Sequence, residues 1–200
     1  MTMQVVLLSA LAIVAVSCEK EETQLFEEPA ISEAPMTQAA GVNRPGRAPS
    51  PGDASIAAIA IDAGFEELVG ALSYVDAELE AGLVNLFLNG TDQFTVFAPT
   101  NDAFENLYDA LGVDEISDLP AELVLDVLLY HVAEGRRAAN SVVPRVRTRT
   151  ITTLLGETFS VDSQGVITDI AGQEANIIAA DISASNGIIH VIDTVILPLE

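Results

Sequence analysis

The chain lacks the residues on which several kinds of protein depend. Of its 200 residues, one is a cysteine, none is a tryptophan, and aromatic residues make up 5%. A single cysteine, Cys18, excludes a disulfide within the chain. The scarcity of aromatic side chains argues against a surface that stacks sugars or nucleobases.

Positive charge is also scarce. Eight Lys and Arg residues face thirty Asp and Glu residues, and the formal net charge is -22. Phosphate backbones bind cationic surfaces, so we expect no nucleic-acid partner. Only one of the cations, Lys20, is a lysine. This composition is typical of proteins that work in concentrated salt, where charge repulsion is screened; the alternative is an acidic protein of an ordinary habitat, kept soluble by its charge.

The sequence contains no motif for catalysis. It has neither a G-x-S-x-G nucleophile elbow nor a glycine-rich phosphate loop. The two histidines, His131 and His190, could form a zinc site with Asp193, but no H-x-H or H-x-x-x-E spacing supports it. We expect instead that each ring makes local hydrogen bonds. We therefore predict that the protein is not an enzyme and that it has no catalytic residue, metal or cofactor.

Residues 1–18 are predicted to be a signal peptide. The apolar run Val5–Val16 is shorter than the ~20 residues of a membrane-spanning helix. It ends in Ala15-Val16-Ser17-Cys18, which resembles the lipobox of bacterial lipoproteins, whose cysteine carries the lipid. This resemblance makes Cys18 the predicted attachment point for a membrane and implies an outer-membrane or cell-surface lipoprotein. The alternative is an ordinary cleaved signal with an incidental cysteine.

Residues 19–52 are predicted to be a disordered tether. They are acidic at first and then rich in Pro, Gly and Ala, without helical or strand periodicity. Such a segment buries too little apolar surface to offset the entropy lost on ordering.

Residues 53–200 are predicted to form one α+β domain. Ser55 is the expected N-cap of an apolar stripe of helical spacing that breaks at Gly64, and a further turn is expected near Ala77–Leu83. A helix is expected at 101–111, with Leu111 facing inward and Gly112 as its stop. Another is expected after Pro120, with Leu123, Val127 and Tyr130 on the inner face. From Arg136 onward, β-rich runs alternate with glycine-containing turns, which indicates antiparallel pairing.

Several segments of this domain carry a resemblance to a known family. "TVFAPTNDAF" at 95–104 and "NGIIHVIDTVILP" at 186–198 resemble the two conserved boxes of the fasciclin (FAS1) domain. Tyr130-His131 matches the family's Tyr-His motif, and "TLLGETFSV" at 153–161 resembles its mid-domain strand. The resemblance implies a β-sandwich-like core wrapped by N-terminal and central helices, a role in adhesion outside the cell, and no catalysis. The motif residues, which we interpret as structural, are Thr95, Phe97, Pro99, Thr100, Asn101, Phe104, Tyr130, His131, Asn186, Gly187, His190, Asp193 and Pro198.

Within the first box, Phe94–Phe97 is predicted to be a strand that Pro99 ends, because proline cannot extend a hydrogen-bonded ladder. Thr100 would then cap the following helix.

A cluster of arginines is the candidate binding site. The segment "RRAANSVVPRVRTRT" contains Arg136, Arg137, Arg145, Arg147 and Arg149. If residues 144–150 are extended, the last three point to one face and could bind a polyanion, such as an acidic polysaccharide or a lipid phosphate. Alternatively, these arginines pair with acidic side chains of the same protein or simply face solvent.

Two functions remain open from the sequence. The first is a lipid-tethered adhesion module that binds extracellular matrix or polysaccharide at the cell surface. The second is a periplasmic protein that has a structural or assembly role in the envelope and holds another envelope protein.

Overall fold

A computed structural model describes residues 50–198. The predicted signal peptide, Cys18 and the predicted tether up to residue 49 lie outside the described residues. None of the helices within the described range is long and apolar enough to cross a bilayer.

Three helices open the described chain: α1 (Ile56–Asp62), α2 (Glu66–Leu79) and α3 (Leu83–Asn89). The Ser55 side chain caps α1 as expected, by accepting a hydrogen bond from the Ala58 N–H. The turn expected near Ala77–Leu83 is wrong, because α2 continues to Leu79 and α3 begins at Leu83. The Asp76 carboxylate caps α3 by accepting bonds from the N–H groups of Leu83 and Val84, at 2.7 and 2.8 Å.

The remaining helices are α4 (Asn101–Leu111), a 3-10 helix (Ile116–Asp118), α5 (Ala121–Tyr130) and α6 (Ala139–Val142). Helix α4 ends at Gly112, which has a φ of 71°, a conformation that glycine adopts readily. Leu111 does not face inward as expected, since 49% of it is exposed. On α5 the most buried positions besides Tyr130 are Val124 and Leu128 rather than Leu123 and Val127.

Seven strands form one hydrogen-bonded series in the order β2-β1-β7-β6-β5-β4-β3. Their bounds are β1 (Phe94–Pro99), β2 (Val132–Glu134), β3 (Arg149–Thr152), β4 (Thr158–Val161), β5 (Val166–Thr168), β6 (Glu174–Ala184) and β7 (Gly187–Ile192). The pairing is not wholly antiparallel, because β1 and β7 run parallel. Since β7 has a strand on each side and every residue is buried, its nearly continuous apolar sequence is explained.

Two hydrophobic cores lie on opposite faces of β1. Val96 and Ala98 pack with α1–α5 into the first core, whereas Phe97 packs with β3–β5 into the second. The Phe97 and Phe159 rings meet edge to face with centroids 5.0 Å apart, which joins the two halves of the β structure across the second core. The α+β class is confirmed, with helices covering a folded sheet.

The predicted strand Phe94–Phe97 runs two residues further, and Pro99, its last residue, still pairs within the ladder. Its register partner is Ile192 of β7. The N–H of Phe97 bonds to His131 O on the β2 side of the strand, and that of Thr100 bonds to Ile192 O on the β7 side. Because backbone direction alternates, the missing N–H of Pro99 lies on the side where β2 has already ended, and no ladder bond is lost.

Candidate functional site

The first sequence box joins β1 to two helices. Thr100 accepts a hydrogen bond from Ala103 N at 3.2 Å and so caps α4. Asn101 accepts from Glu67 N at 3.3 Å and donates to Gly64 O at 2.9 Å, which binds the start of α4 to the start of α2. Thr95 is fully buried; its hydroxyl donates to Gly135 O and accepts from Arg137 N.

The second box begins with a buried asparagine and a glycine. Asn186 accepts from Ile56 N at 2.8 Å and donates to Phe87 O at 2.9 Å, and so connects β7 to α1 and α3. At Gly187, a Cβ would lie 2.2 Å from Phe94 O and 2.7 Å from the Ile56 side chain. Only glycine fits there, because α1 and β1 both approach that backbone closely.

Tyr130 belongs to the second core, and the buried His131 lies beside first-core residues. The Tyr130 hydroxyl donates to Thr158 O at 3.0 Å, and burial raises the pKa of Tyr130 to about 12. His131 Nδ1 lies 2.7 Å from Val127 O, and His131 Nε2 accepts from Ile196 N at 3.2 Å. These partners assign a neutral ring protonated at Nδ1. Burial lowers the pKa of His131 to about 4, which agrees with a neutral ring.

The second histidine is also neutral but has the other tautomer. His190 Nε2 lies 2.9 Å from Arg137 O, and Nδ1 faces the Asp181 N–H at 3.4 Å. Burial lowers the pKa of His190 as well. Each ring therefore uses both nitrogens for bonds to the backbone.

The residues considered for a zinc site hold other partners. Asp193 accepts hydrogen bonds from the backbone and side chain of Asn176, at 2.7 and 2.9 Å. Partial burial raises the pKa of Asp193, but these bonds and one from Thr194 lower it by more, so the net shift is downward. Across residues 50–198, no group of three His, Cys, Asp or Glu side chains is placed to hold a metal ion.

The arginine cluster is divided by the structure. Arg136 donates to Ala184 O at 2.8 Å, Gly187 O at 2.5 Å and Ser50 O at 3.2 Å, and it also bonds Ser183. Burial lowers its pKa. It therefore holds the turn between β6 and β7 against the start of the described chain, a role that differs from ligand binding.

Two more arginines are bonded to nearby backbone. Arg137 donates to Glu134 O at 3.1 Å, and Arg149 donates to Ser141 O. Residues 145–147 form bends rather than the extended run considered from the sequence, and of the three arginines only Arg149 lies in a strand, β3. The alternation that would place three arginines on one face is therefore absent from this segment.

Arg145 and Arg147 remain available. Both are exposed, and among the described residues neither has a hydrogen-bond or ion-pair partner. Between them, Val146 is 85% exposed. We call Arg145, Val146 and Arg147 the RVR tip. Sequence reasoning singled out the two arginines but missed Val146. It could have been noticed as an apolar residue in a segment that has no helical or strand periodicity.

The fold is an α+β domain in which the polar residues of the two sequence boxes bond the backbone. A family model for the fasciclin domain matches residues 64–198. The chain belongs to the fasciclin domain family.

Individual relatives support the same assignment. The chain is 38% identical to protein sll1483 of Synechocystis over 73% of its length and 76% of that protein. It is 32% identical to the cell surface glycolipoprotein MPB83 of Mycobacterium bovis over 56% of its length and 46% of that protein. It also matches 17% of the transforming growth factor-beta-induced protein ig-h3 of Sus scrofa, at 33% identity over 61% of this chain.

Among solved structures, the chain is similar to a FAS1 domain pair from the insect cell adhesion molecule fasciclin I. The TM-score is 0.49 and the identity 22%, over 65% of this chain and 45% of that one.

Proposed function

We propose that this protein is a non-enzymatic adhesion module, held at the cell surface by a lipid on Cys18, that binds an acidic polysaccharide through Arg145 and Arg147. Membership of the fasciclin domain family supports a role as an adhesion module, and one relative is a cell surface glycolipoprotein. The observation that carries the ligand class is the exposure of two arginines without described partners on a strongly acidic chain.

The distribution of charge gives this proposal a direction. The five arginines between 136 and 149 are the only Lys or Arg residues in the sequence from 50 to 198. Three of them bond the backbone, and Arg145 and Arg147 are the two whose guanidinium groups have no partner among the described residues. The excess of Asp and Glu over the rest of the chain favours the approach of a negatively charged polymer from the arginine side.

Two arginines alone bind weakly. Guanidinium groups hold carboxylates and sulfates by paired hydrogen bonds, but exposed ion pairs contribute only about 0–1 kcal/mol each. Many copies tethered on one surface and facing one polymer would raise the avidity by a factor of roughly 10²–10⁴. The proposal therefore needs the anchor as well as the tip.

The ligand is tested by removing the two charges. Arg145→Gln/Arg147→Gln should lose retention on immobilised alginate, an acidic polysaccharide probe, at low salt. The matched control is Asn85→Asp/Asn89→Asp, which makes the same change in net charge on exposed positions of α3. Equal retention of the arginine variant and the parent at both low and high salt would reject the polysaccharide as ligand.

The location is tested separately on whole cells. Metabolic labelling with a fatty acid should mark the parent chain and not Cys18→Ser, and external protease should remove the domain. Labelling together with protection from protease would support the alternative, a periplasmic structural or assembly role.

A further inference from the structure

An apolar cavity lies on the helical side of the protein. Its volume is about 70 Å³, and its wall comes from α2, α4, the 3-10 helix and α5. The residues that line it include Phe104, Leu107, Leu111, Ile116, Leu119 and Leu123. Leu111 is half exposed, so the cavity opens toward solvent at the end of α4.

The surroundings of this opening are acidic. Glu115 and Asp118 flank the lining residue Ile116 and are exposed, and Glu122 precedes the lining residue Leu123. No Lys or Arg occurs in the sequence from 50 to 135. An apolar group suits the cavity, and positive charge beside that group would be attracted to the carboxylates around the opening.

The RVR tip has this composition. Val146 is 85% exposed, more than the other large apolar side chains described, and an arginine stands on each side of it. An exposed apolar side chain between two cations is complementary, in polarity and in charge, to an apolar cavity beside carboxylates.

The two features lie on opposite faces of β1. The cavity belongs to the first core, built by α1–α5, whereas Val142 leads into the RVR tip from the second core. Val146 is 85% exposed in the described structure, so the tip does not occupy the cavity of its own copy. We infer that the cavity receives Val146 from a second copy of this chain, with Arg145 and Arg147 beside Glu115 and Asp118.

The size of the cavity suits this occupant. Its 70 Å³ is roughly half of the about 150 Å³ of an engineered cavity that holds benzene, so it accommodates a valine more readily than a ring. The contact would be heterologous, because tip and cavity are different surfaces, and so copies would join head to tail. A contact this small is weak, and we expect it to form where copies are crowded on a surface.

Disulfide trapping tests this contact. Full-length chains carrying Cys18→Ser are held at high density on nickel-chelating lipid vesicles by an N-terminal histidine tag, which keeps the copies crowded. Val146→Cys and Leu111→Cys chains are mixed on these vesicles under mild oxidation, and the rate of cross-linked dimer formation is measured. The control mixes Val146→Cys with Ile178→Cys, whose position is 56% exposed on β6, against 49% for Leu111. We expect the cavity pair to cross-link about tenfold faster than the control pair.

Charge exchange makes the test specific. Adding Arg145→Glu/Arg147→Glu to the Val146→Cys chain should reduce the rate to that of the control. Glu122→Arg on the Leu111→Cys chain should restore part of it, and this change leaves intact the Glu115 and Asp118 side chains that cap the 3-10 helix. Equal rates for the cavity and control pairs, or no rescue by the exchanged charges, would overturn the inference. Melting curves of each variant confirm that the changed positions leave the fold intact.

The outcome is separable from that of the polysaccharide experiment. Loss of alginate binding in the arginine variant, together with cross-linking no faster than the control, would leave the adhesion proposal standing and refute the contact between copies. Rapid, charge-dependent cross-linking without alginate binding would do the reverse. If both results are positive, the polymer and the second copy compete for the same two arginines, and added alginate should slow the cross-linking.

Discussion

At the scale of single residues, the polar side chains of the sequence boxes bond backbone groups from distant parts of the chain. Asn186 joins α1 to α3, Asn101 joins α4 to α2, and His131 joins α5 to the segment after β7. Each is a donor and an acceptor at once, so replacement would leave backbone groups without partners, and those at Asn186 and at His131 Nε2 are buried. These residues are constrained by the fold itself, whatever the protein binds.

Gly187→Ala should destabilise the protein by about 1–3 kcal/mol, because the new Cβ would overlap Phe94 O and Ile56. Gly70→Ala is the matched control: it lies within α2 with no atom close to its Cβ position, and should stabilise by about 0.5–1 kcal/mol. Urea melts of the two variants measure both changes. Equal effects would show that helix propensity, rather than close packing, governs the glycine positions.

His131 should make the stability of the fold depend on pH. Its folded pKa of about 4 lies below the unfolded value of 6.5, so only the unfolded chain binds the proton between these two pH values. The free energy of unfolding contributed by the neutral ring is complete above pH 6.5 and falls, by up to about 3 kcal/mol, as the pH decreases to 4.

The comparison variant is His131→Asn, whose amide does not titrate. The difference in free energy of unfolding between parent and variant should shrink as urea melts are moved from neutral pH to acid. A difference that stays constant with pH would mean that His131 can be protonated in the folded state.

At the scale of elements, α4 shows how one helix is attached. Phe104 is buried among first-core residues, whereas Leu111, two turns further on, is half exposed. Phe104→Ala should cost about 3–5 kcal/mol by leaving a cavity. Leu111→Ala on the same helix should cost about 1 kcal/mol or less, since much of its surface already faces water. Thermal melts distinguish the two, and a change below about 1 kcal/mol for Phe104→Ala would exclude it from the core.

Local signals predicted the elements whose ends are fixed locally. Ser55, Thr100 and Gly112 cap their helices as the sequence indicated, because capping depends on a few neighbouring residues. The buried face of α5 and the orientation of Leu111 depend on where other helices pack, which helical periodicity does not reveal. The parallel partner of β1 lies some ninety residues away, beyond the reach of any local pattern.

The candidate site was predicted in part for the same reason. The arginine segment is visible in the sequence, but which of its members bond Ala184, Ser141 or Glu134 carbonyls depends on the fold. The apolar cavity combines residues of α2, α4 and α5 that read individually as core positions. A cavity is a gap between packed elements, so no single stretch of sequence encodes it.

At the scale of the whole molecule, the net charge of -22 should make stability depend on salt. Repulsion among carboxylates is screened when the Debye length falls from about 10 Å at 0.1 M to about 3 Å at 1 M salt. We expect the free energy of unfolding in urea to rise between these conditions. Chloride is the suitable salt, since sulfate would stabilise any protein by exclusion from its surface. A stability that is unchanged or lower at molar chloride would contradict the adaptation to concentrated salt.

The parallel pair of β1 and β7 has a consequence for how the chain acquires its shape. Phe94 pairs with Gly187 and Pro99 with Ile192, so the central ladder joins the first strand to the last. During synthesis β1 must wait, with one side unpaired, until nearly the entire domain has emerged. Such distant pairing slows folding. Because β7 lies between β1 and β6, removal of this last strand would disrupt the interior of the sheet rather than its edge.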